Sequence, residues 1–126
     1  MNLTSPEFSI VIPTYNRPTR LKKCLQSIVQ IDYPIDRFEV IVVDDGSDLS
    51  LEPIALNFKA NFPLHFIRQD NAGPASARNA GAAKAQGNYL VFTDDDCQPE
   101  PGWLKALADA SENAPGALIG GYTINT

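Results

Sequence analysis

The sequence predicts an α/β protein, a three-layer α/β/α domain with a mainly parallel sheet. Short apolar runs alternate with longer helical stretches in the order β-α-β-α-β-α-β-α-β, which is typical of parallel sheets with right-handed crossovers. The runs are apolar on both faces, as expected for strands that helices cover on both sides. The 126 residues fit a single domain, so we expect one folded unit over residues 1–126.

Composition narrows the class of protein. Hydrophobic residues make up 44% and charged residues 20%, the balance of a globular protein, and the net charge of −5 argues against a nucleic-acid-binding module. We find no signal-peptide layout and no apolar run near the roughly 18 residues of a membrane span. The two cysteines, Cys24 and Cys97, suggest neither a disulfide framework nor a zinc site. We therefore expect a cytoplasmic protein, free or at the inner face of the membrane.

Each predicted strand is a short apolar run that ends at residues typical of turns. Four runs are clear, at residues 8–13, 38–44, 64–68 and 89–93. Residues 117–120 are expected to open a fifth strand.

The first helix is predicted from apolar residues that recur at helical spacing after Pro18, a residue suited to a first helical turn. These apolar residues are Leu21, Cys24, Leu25 and Ile28. The spacing places Cys24 in the core as a buried thiol.

Three further helices are predicted after the next strands. One covers part of residues 51–61, and the next runs from 74 to 86, where Gly87 ends it. The helix at 74–86 is rich in alanine, so it can lie close to the sheet. The last begins near Pro101 and has an apolar face made by Trp103, Leu104 and Leu107.

Polar segments follow all four clear strands, at residues 13–17, 44–48, 69–73 and 94–97. In open parallel sheets, ligands bind beyond the carboxyl ends of the strands, at a switch in strand order. We therefore expect the functional residues in these four segments.

The segment after the fourth strand carries three consecutive carboxylates, Asp94, Asp95 and Asp96. Their mutual repulsion raises pKa values unless cations or hydrogen bonds compensate, and a divalent ion such as Mg²⁺ or Mn²⁺ suits oxygen ligands. If the segment is extended, Asp94 and Asp96 share one side while Asp95 faces elsewhere. The alternative is a solvated acidic turn before the next helix.

A second acidic pair, Asp44 and Asp45, ends the second strand. The following turn at Gly46 and Ser47 is expected to leave both carboxylates pointing into one cleft. There they could accept hydrogen bonds from a ribose or a base N–H. The alternative is an Asx-turn that merely starts the loop.

The remaining candidates surround a helix start and the first strand end. Residues 71–74 lead into a helix whose first turn carries Arg78, a setting that favours phosphate, although Arg78 could instead face solvent. Tyr15 could stack on a base or simply pack. Basic residues of the first helix are expected to form a solvated face, with phosphate contact as the alternative: Arg17, Arg20, Lys22 and Lys23. His65 lies inside an apolar strand, so we expect a structural role and no Ser-His-Asp site.

Four motifs in order closely resemble the family 2 glycosyltransferases. They are FSIVIPTYNR at 8–17, VIVVDDGS at 40–47, NAGPASARN at 71–79 and GNYLVFTDDD at 87–96. The resemblance implies a GT-A fold and an inverting hexosyl transfer from a nucleotide-sugar, UDP-linked by preference, to an acceptor hydroxyl of a glycan, lipid or other compound.

The resemblance also implies roles for single residues. Asp45 resembles the aspartate that bonds the base, and Asp96 the last acid of the DxD motif, which holds Mn²⁺ or Mg²⁺ on the diphosphate. The metal ligand is therefore expected to be Asp96. The nucleotide-sugar site is expected to comprise Pro13, Thr14, Tyr15, Arg17, Asp44, Asp45, Gly73, Arg78, Asp94 and Asp95.

Family members take the acceptor proton with a carboxylate in their second half, so we expect the catalytic base beyond Thr126 and assign none here. Asp109 and Glu112 do not match that carboxylate. Residues 1–126 are thus expected to be the N-terminal donor-binding part of a glycosyltransferase domain, incomplete at its C-terminus.

Other classes fit the sequence less well. A catalytically incomplete nucleotide-binding or regulatory α/β module is the main alternative. A purely structural role for an incomplete copy is another, in which a second chain, such as another copy, covers the exposed sheet edge. Receiver domains carry their acid pair after the first strand, whereas here it follows the second. The glycine-rich first turn of a dinucleotide-binding domain is absent from residues 13–17.

Overall fold

The computed structural model describes residues 6–113. This part of the chain contains four strands, four α-helices and one short 3₁₀ turn at Ile35–Arg37. The elements are β1 (Phe8–Thr14), α1 (Pro18–Val29), β2 (Phe38–Asp44), α2 (Glu52–Leu56), β3 (Leu64–Arg68), α3 (Pro74–Lys84), β4 (Tyr89–Phe92) and α4 (Trp103–Asn113). The predicted order of elements is confirmed, and the predicted strand at 117–120 lies outside the described residues.

The four described strands form one parallel sheet in the order β3-β2-β1-β4. β1 and β2 pair along their whole length, from Phe8 beside Phe38 to Thr14 beside Asp44. The chain builds outward from β1 through β2 to β3 and then returns to place β4 on the other side of β1. A crevice for ligands is expected at such a switch point, beyond the carboxyl ends of β1 and β4.

Alternating side chains of the strands feed two separate cores, which confirms the three layers. Phe8, Ile10 and Ile12 of β1 pack with buried residues of α1, α2 and α4, among them Cys24. Val11 points to the opposite face, where it packs with Ala77 of α3. Cys24 is fully buried, as predicted. Burial is the main reason why the pKa of its thiol rises to about 12.

Helix α3 lies close to the sheet because its inward residues are small. Ala77 and Gly81 are its buried residues. A Cβ on Gly81 would collide with the side chain of Val11 and lie 3.2 Å from Cγ2 of Val43. The close approach predicted from the alanine-rich sequence is therefore confirmed.

His65 belongs to a polar network at the amino ends of the strands. Its Nε2 lies 3.0 Å from Oε1 of the buried Glu39, whose Oε2 accepts hydrogen bonds from Ser9 Oγ at 2.6 Å and the Gln86 N–H at 2.7 Å. Ser9 Oγ in turn accepts the N–H of Gly87 at 2.8 Å. The network ties the segment after α3 to the sheet, away from the carboxyl ends of the strands, as expected for a structural histidine.

The helices of residues 6–113 are all too short or too polar to cross a bilayer. α2 covers part of the range 51–61, as predicted, and i→i+3 bonds such as Lys59 N to Leu56 O follow it. These tighter turns carry the chain into Pro63 and β3.

Candidate functional site

A cleft of about 350 Å³ opens at the carboxyl ends of the strands, a size usual for small-molecule sites. It brings together every predicted site residue except Asp44. Three further lining residues were not among the predicted ones: Asn71, Pro74 and Ala77. All three lie in the loop before α3 or in its first turn. The sequence Asn-Ala-Gly-Pro at 71–74, which predicts the start of this helix, could have indicated them.

The loop after β1 forms one wall of the cleft. Asn16 has a positive φ of 54°, and its backbone N–H donates to Ser47 Oγ at 2.8 Å while its Oδ1 accepts from the Asp48 N–H at 2.8 Å. These bonds hold the loop against the turn after β2. Tyr15 is 42% exposed and lines the cleft, so it is not a packed core residue. Its ring is available for stacking against a planar group.

Asp45 is buried at the cleft and organises the loop between β3 and α3. Its Oδ1 accepts hydrogen bonds from Gln69 Nε2 and the Ala72 N–H, both at 2.8 Å. Its Oδ2 accepts from the Gly73 N–H at 2.9 Å and from Asn71 Nδ2 at 3.1 Å. Burial alone raises the pKa of Asp45, but these hydrogen bonds outweigh it and hold the pKa below its ordinary value.

The expectation that Asp44 points into the same cleft is wrong. Asp44 is fully buried, with Oδ1 accepting the Ser47 N–H at 3.0 Å and Oδ2 accepting the Leu51 N–H at 3.0 Å and Arg68 Nη1 at 2.9 Å. Successive residues at a strand end point to opposite sides, so only Asp45 faces the cleft. Asp44 forms the Asx-type turn that the sequence offered as the alternative.

The three consecutive aspartates lie on a tight turn after β4, beside the end of β1. β4 ends at Phe92, and the Cys97 N–H donates to the Asp94 carbonyl oxygen at 3.1 Å. The segment turns instead of extending, and all three residues line the cleft. The side chains of Asp94 and Asp96 are 36% and 51% exposed, whereas that of Asp95 is 3% exposed.

Each carboxylate of this acidic turn, residues 94–96, faces a different arginine. The N–O distances are 3.4 Å for Arg78 to Asp94, 3.3 Å for Arg17 to Asp95 and 3.9 Å for Arg20 to Asp96. The predicted compensation of the clustered negative charge is therefore supplied by side chains of α3, α1 and the residue before α1. Arg17 and Arg20 keep about half of their side chains exposed, as expected for a solvated basic face, but each also contacts a carboxylate of the acidic turn.

Asp95 is the most enclosed member of the acidic turn, with 3% of its side chain exposed. Its Oδ2 accepts a hydrogen bond from Thr14 Oγ1 at 2.8 Å, and its Oδ1 accepts from Arg17 Nη1 at 3.3 Å. Burial raises the pKa of Asp95, while the contacts with Thr14 and Arg17 oppose the rise.

The start of α3 also lines the cleft. The helix begins at Pro74 after Gly73, whose φ of 101° suits glycine, and its first helical bond runs from the Ala77 N–H to the Gly73 carbonyl. Arg78 follows on the same turn and also lines the cleft. The partial positive charge of the helix N-terminus and a guanidinium therefore meet there, a combination that favours a phosphate.

The carboxylate oxygens at the cleft fit a divalent ion that takes its remaining ligands from water and a bound anion. Within residues 6–110, no three His, Cys, Asp or Glu side chains are grouped to form a complete metal cage. Mg²⁺ commonly takes one or two protein carboxylates and completes its shell with water and phosphate oxygens. Asp96 offers such a carboxylate, since its side chain is 51% exposed at the cleft.

Sequence comparison gives a match over almost the whole chain. Residues 9–125 match the family described as Glycosyl transferase family 2. The chain is 34% identical over 123 residues to the glycosyltransferase AglE of Haloferax volcanii, an alignment that covers 96% of this chain and 40% of AglE. The chain thus spans well under two thirds of the length of the curated relatives it matches.

Two solved structures share the fold at similar coverage. The structure of Staphylococcus aureus TarS 1-349 in complex with UDP-GlcNAc matches with a TM-score of 0.81 and 30% identity, over 85% of this chain and 31% of TarS 1-349. The mannosyltransferase PcManGT of Pyrobaculum calidifontis, in complex with GDP-Man and Mn²⁺, matches with a TM-score of 0.78 and 26% identity. That match covers 86% of this chain and 33% of PcManGT.

Proposed function

The chain belongs to glycosyl transferase family 2, with the GT-A fold, and we propose that it forms the donor site of an inverting glycosyltransferase that uses a UDP-sugar. The observation that carries the proposal is the cleft itself. It combines an exposed aromatic ring, a helix N-terminus with an arginine and a turn of three carboxylates. These are the groups needed for a base, a diphosphate and a divalent ion.

Similarity to nucleotide-sugar complexes supports the choice of donor. TarS is solved with UDP-GlcNAc and PcManGT with GDP-Man, and the chain is 30% identical to the first and 26% to the second. We therefore propose uracil as the base. Acceptor class, cytoplasmic location and pairing of copies stay predictions from the sequence.

We assign the roles within the cleft by chemistry. Tyr15 stacks on the base, and Asp45 holds the 69–73 loop that forms the wall beside it. Arg78 and the start of α3 bind the diphosphate through charge-assisted hydrogen bonds. Asp94 faces the ribose side, and Asp96 holds a divalent ion, Mn²⁺ or Mg²⁺.

The proposed reaction is a direct displacement. The acceptor oxygen forms a bond to the anomeric carbon while the bond from that carbon to the diphosphate oxygen breaks, and the diphosphate leaves with the electron pair. A divalent ion supplies Lewis-acid stabilisation of the leaving diphosphate when bound. Arg78 adds positive charge to the same group, and a base takes the acceptor proton. We assign no base among residues 6–110.

Isothermal titration calorimetry of the full chain with UDP tests the proposal. We expect binding that requires Mn²⁺ or Mg²⁺, and weaker binding of GDP. Arg78→Gln should weaken UDP binding by about 10- to 100-fold, the usual worth of a charge-assisted contact. Asp96→Asn should abolish the UDP binding that depends on Mn²⁺ or Mg²⁺.

Asp109→Asn is the matched control, since Asp109 is an exposed aspartate on α4 outside the cleft. It should leave UDP affinity unchanged. A folded chain that binds UDP in neither the presence nor the absence of Mn²⁺ would contradict the proposed function.

A further inference from the structure

Arg20 of α1 faces the last carboxylate of the acidic turn. Its Nη1 lies 3.9 Å from Asp96 Oδ2, the longest of the three arginine–aspartate distances around this turn. Both side chains are about half exposed, at 55% and 51%. Water screens an ion pair in such a setting, so this pair is weakly held.

The other two carboxylates are held more firmly. Asp95 is 3% exposed and engages Thr14 and Arg17 with both of its oxygens. Asp94 contacts Arg78 at 3.4 Å, and both of those side chains are more enclosed than Arg20 and Asp96. Asp96 is therefore the member of the acidic turn that can change its counter-ion at the lowest cost.

We infer that Arg20 is an exchangeable counter-cation, which neutralises Asp96 in the free chain and moves to the donor's diphosphate when Asp96 binds a divalent ion. The inference rests on the proposed function. A guanidinium and a divalent ion repel each other at one carboxylate, whereas diphosphate oxygens are good acceptors for arginine. Arg20 follows Arg17 by three residues, so it lies on the same side of the helix start as a residue that lines the cleft.

This exchange makes Arg20 act in opposite directions on two ligands. In the absence of donor it competes for Asp96 and lowers metal affinity. With the donor present it contacts the diphosphate and raises donor affinity. Arg20 therefore adds to the coupling that arises from direct contact between the metal ion and the diphosphate. Bound metal raises the affinity for the donor, and bound donor raises the affinity for the metal by the same factor.

The test compares Arg20→Gln with Lys22→Gln in the full chain. Lys22 is an exposed cation of the same helix, and the described part of the structure shows no ion pair for it. Free Mn²⁺, measured by electron paramagnetic resonance without nucleotide, gives metal affinity. Calorimetry with UDP at saturating Mn²⁺ gives donor affinity. Arg20 is half exposed, so both variants should fold, which circular dichroism checks.

Arg20→Gln should bind Mn²⁺ alone about two- to fivefold more tightly, the range for an exposed ion pair, and bind UDP with Mn²⁺ about three- to tenfold more weakly. Lys22→Gln should change neither affinity by more than about 1.5-fold. Equal effects of the two substitutions, or an unchanged Mn²⁺ affinity in Arg20→Gln, would overturn the inference. Unchanged UDP affinity in Arg20→Gln would overturn the transfer to the diphosphate. Failure of the wild-type chain to bind UDP would contradict the proposed function instead. The Mn²⁺ titration without nucleotide would still measure whether Arg20 competes with the metal ion for Asp96.

Discussion

Thr14 Oγ1 donates a buried hydrogen bond of 2.8 Å to Asp95 Oδ2, across 81 residues of sequence. The bond joins the end of β1 to the turn after β4, where the strand order of the sheet reverses. Both residues line the cleft. One contact therefore serves the fold and the candidate donor site together, and it can be removed without changing the size of the side chain.

Thr14→Val keeps the shape of the side chain and removes the hydroxyl donor. We expect the free energy of unfolding to fall by about 1–3 kcal/mol, because Asp95 stays buried with only Arg17 as its charged partner. Urea unfolding at pH 7 measures the change. Thr14→Ser, which keeps the hydroxyl, should lose less than about 1 kcal/mol. Equal stability of the two variants would show that the bond contributes nothing.

The hydrogen bonds to Asp45 predict a pH dependence of stability. Its pKa in the folded chain lies below the ordinary value of 3.8, so its contribution is present above about pH 3.8 and is lost as the pH falls through the lowered pKa. Asp45→Asn should cost about 2–4 kcal/mol at pH 7, because an amide NH₂ cannot accept the bonds from the 69–73 loop.

Urea unfolding between pH 7 and pH 3 checks this expectation. The stability difference between the wild-type chain and Asp45→Asn should narrow as the pH falls below about 3.8. Asp48→Asn, at an exposed aspartate three residues away, should leave the stability at pH 7 unchanged. A difference that stays constant over the whole pH range would argue against an ionised Asp45 as the acceptor.

Local patterns in the sequence were sufficient for the architecture. Periodic apolar residues placed Cys24 in the core, and the small residues of α3 predicted its close approach to the sheet. Strand-end position and the family resemblance together also placed all the predicted site residues but Asp44 in one cleft. These features depend on residues close together in the sequence, and on the rule that the carboxyl ends of parallel strands lie at one edge of the sheet.

The partners of the charged side chains could not be predicted in this way. Arg17 meets Asp95 across 78 residues, and no local pattern links them. Asp45 faces the cleft and Asp44 does not, and this difference depends on the register of β2 and on the direction in which the backbone turns after it. A shift of one residue in the register of β2 against β1 would have exchanged their directions.

Gly46 is required by the contact between the turn after β2 and the loop after β3. Its φ is +81°, and a Cβ there would lie 2.6 Å from the backbone nitrogen of Asn71. Gly46→Ala should therefore lower the free energy of unfolding by about 2–4 kcal/mol, through left-handed strain and a backbone clash. Gly102→Ala, where no atom lies within 4 Å, should change it by less than about 1 kcal/mol. Thermal unfolding that ranks the two variants equally would contradict this role.

Substitution of Tyr15, tested with UDP and with uridine, distinguishes recognition of the base from recognition of the diphosphate. Its ring is 42% exposed at the cleft, so its removal should spare the fold. Loss of one stacking contact is worth about 1–3 kcal/mol, so Tyr15→Ala should weaken both UDP and uridine by about 5- to 150-fold. Tyr15→Phe keeps the stacking face and should stay within about threefold of wild type. Calorimetry with both ligands checks this, because a role at the diphosphate would weaken UDP and leave uridine unchanged. If Tyr15 acted through a phenolic hydrogen bond, Tyr15→Phe would bind UDP as weakly as Tyr15→Ala. An effect on UDP alone, or equal affinities of these two variants, would contradict stacking of Tyr15 on the base.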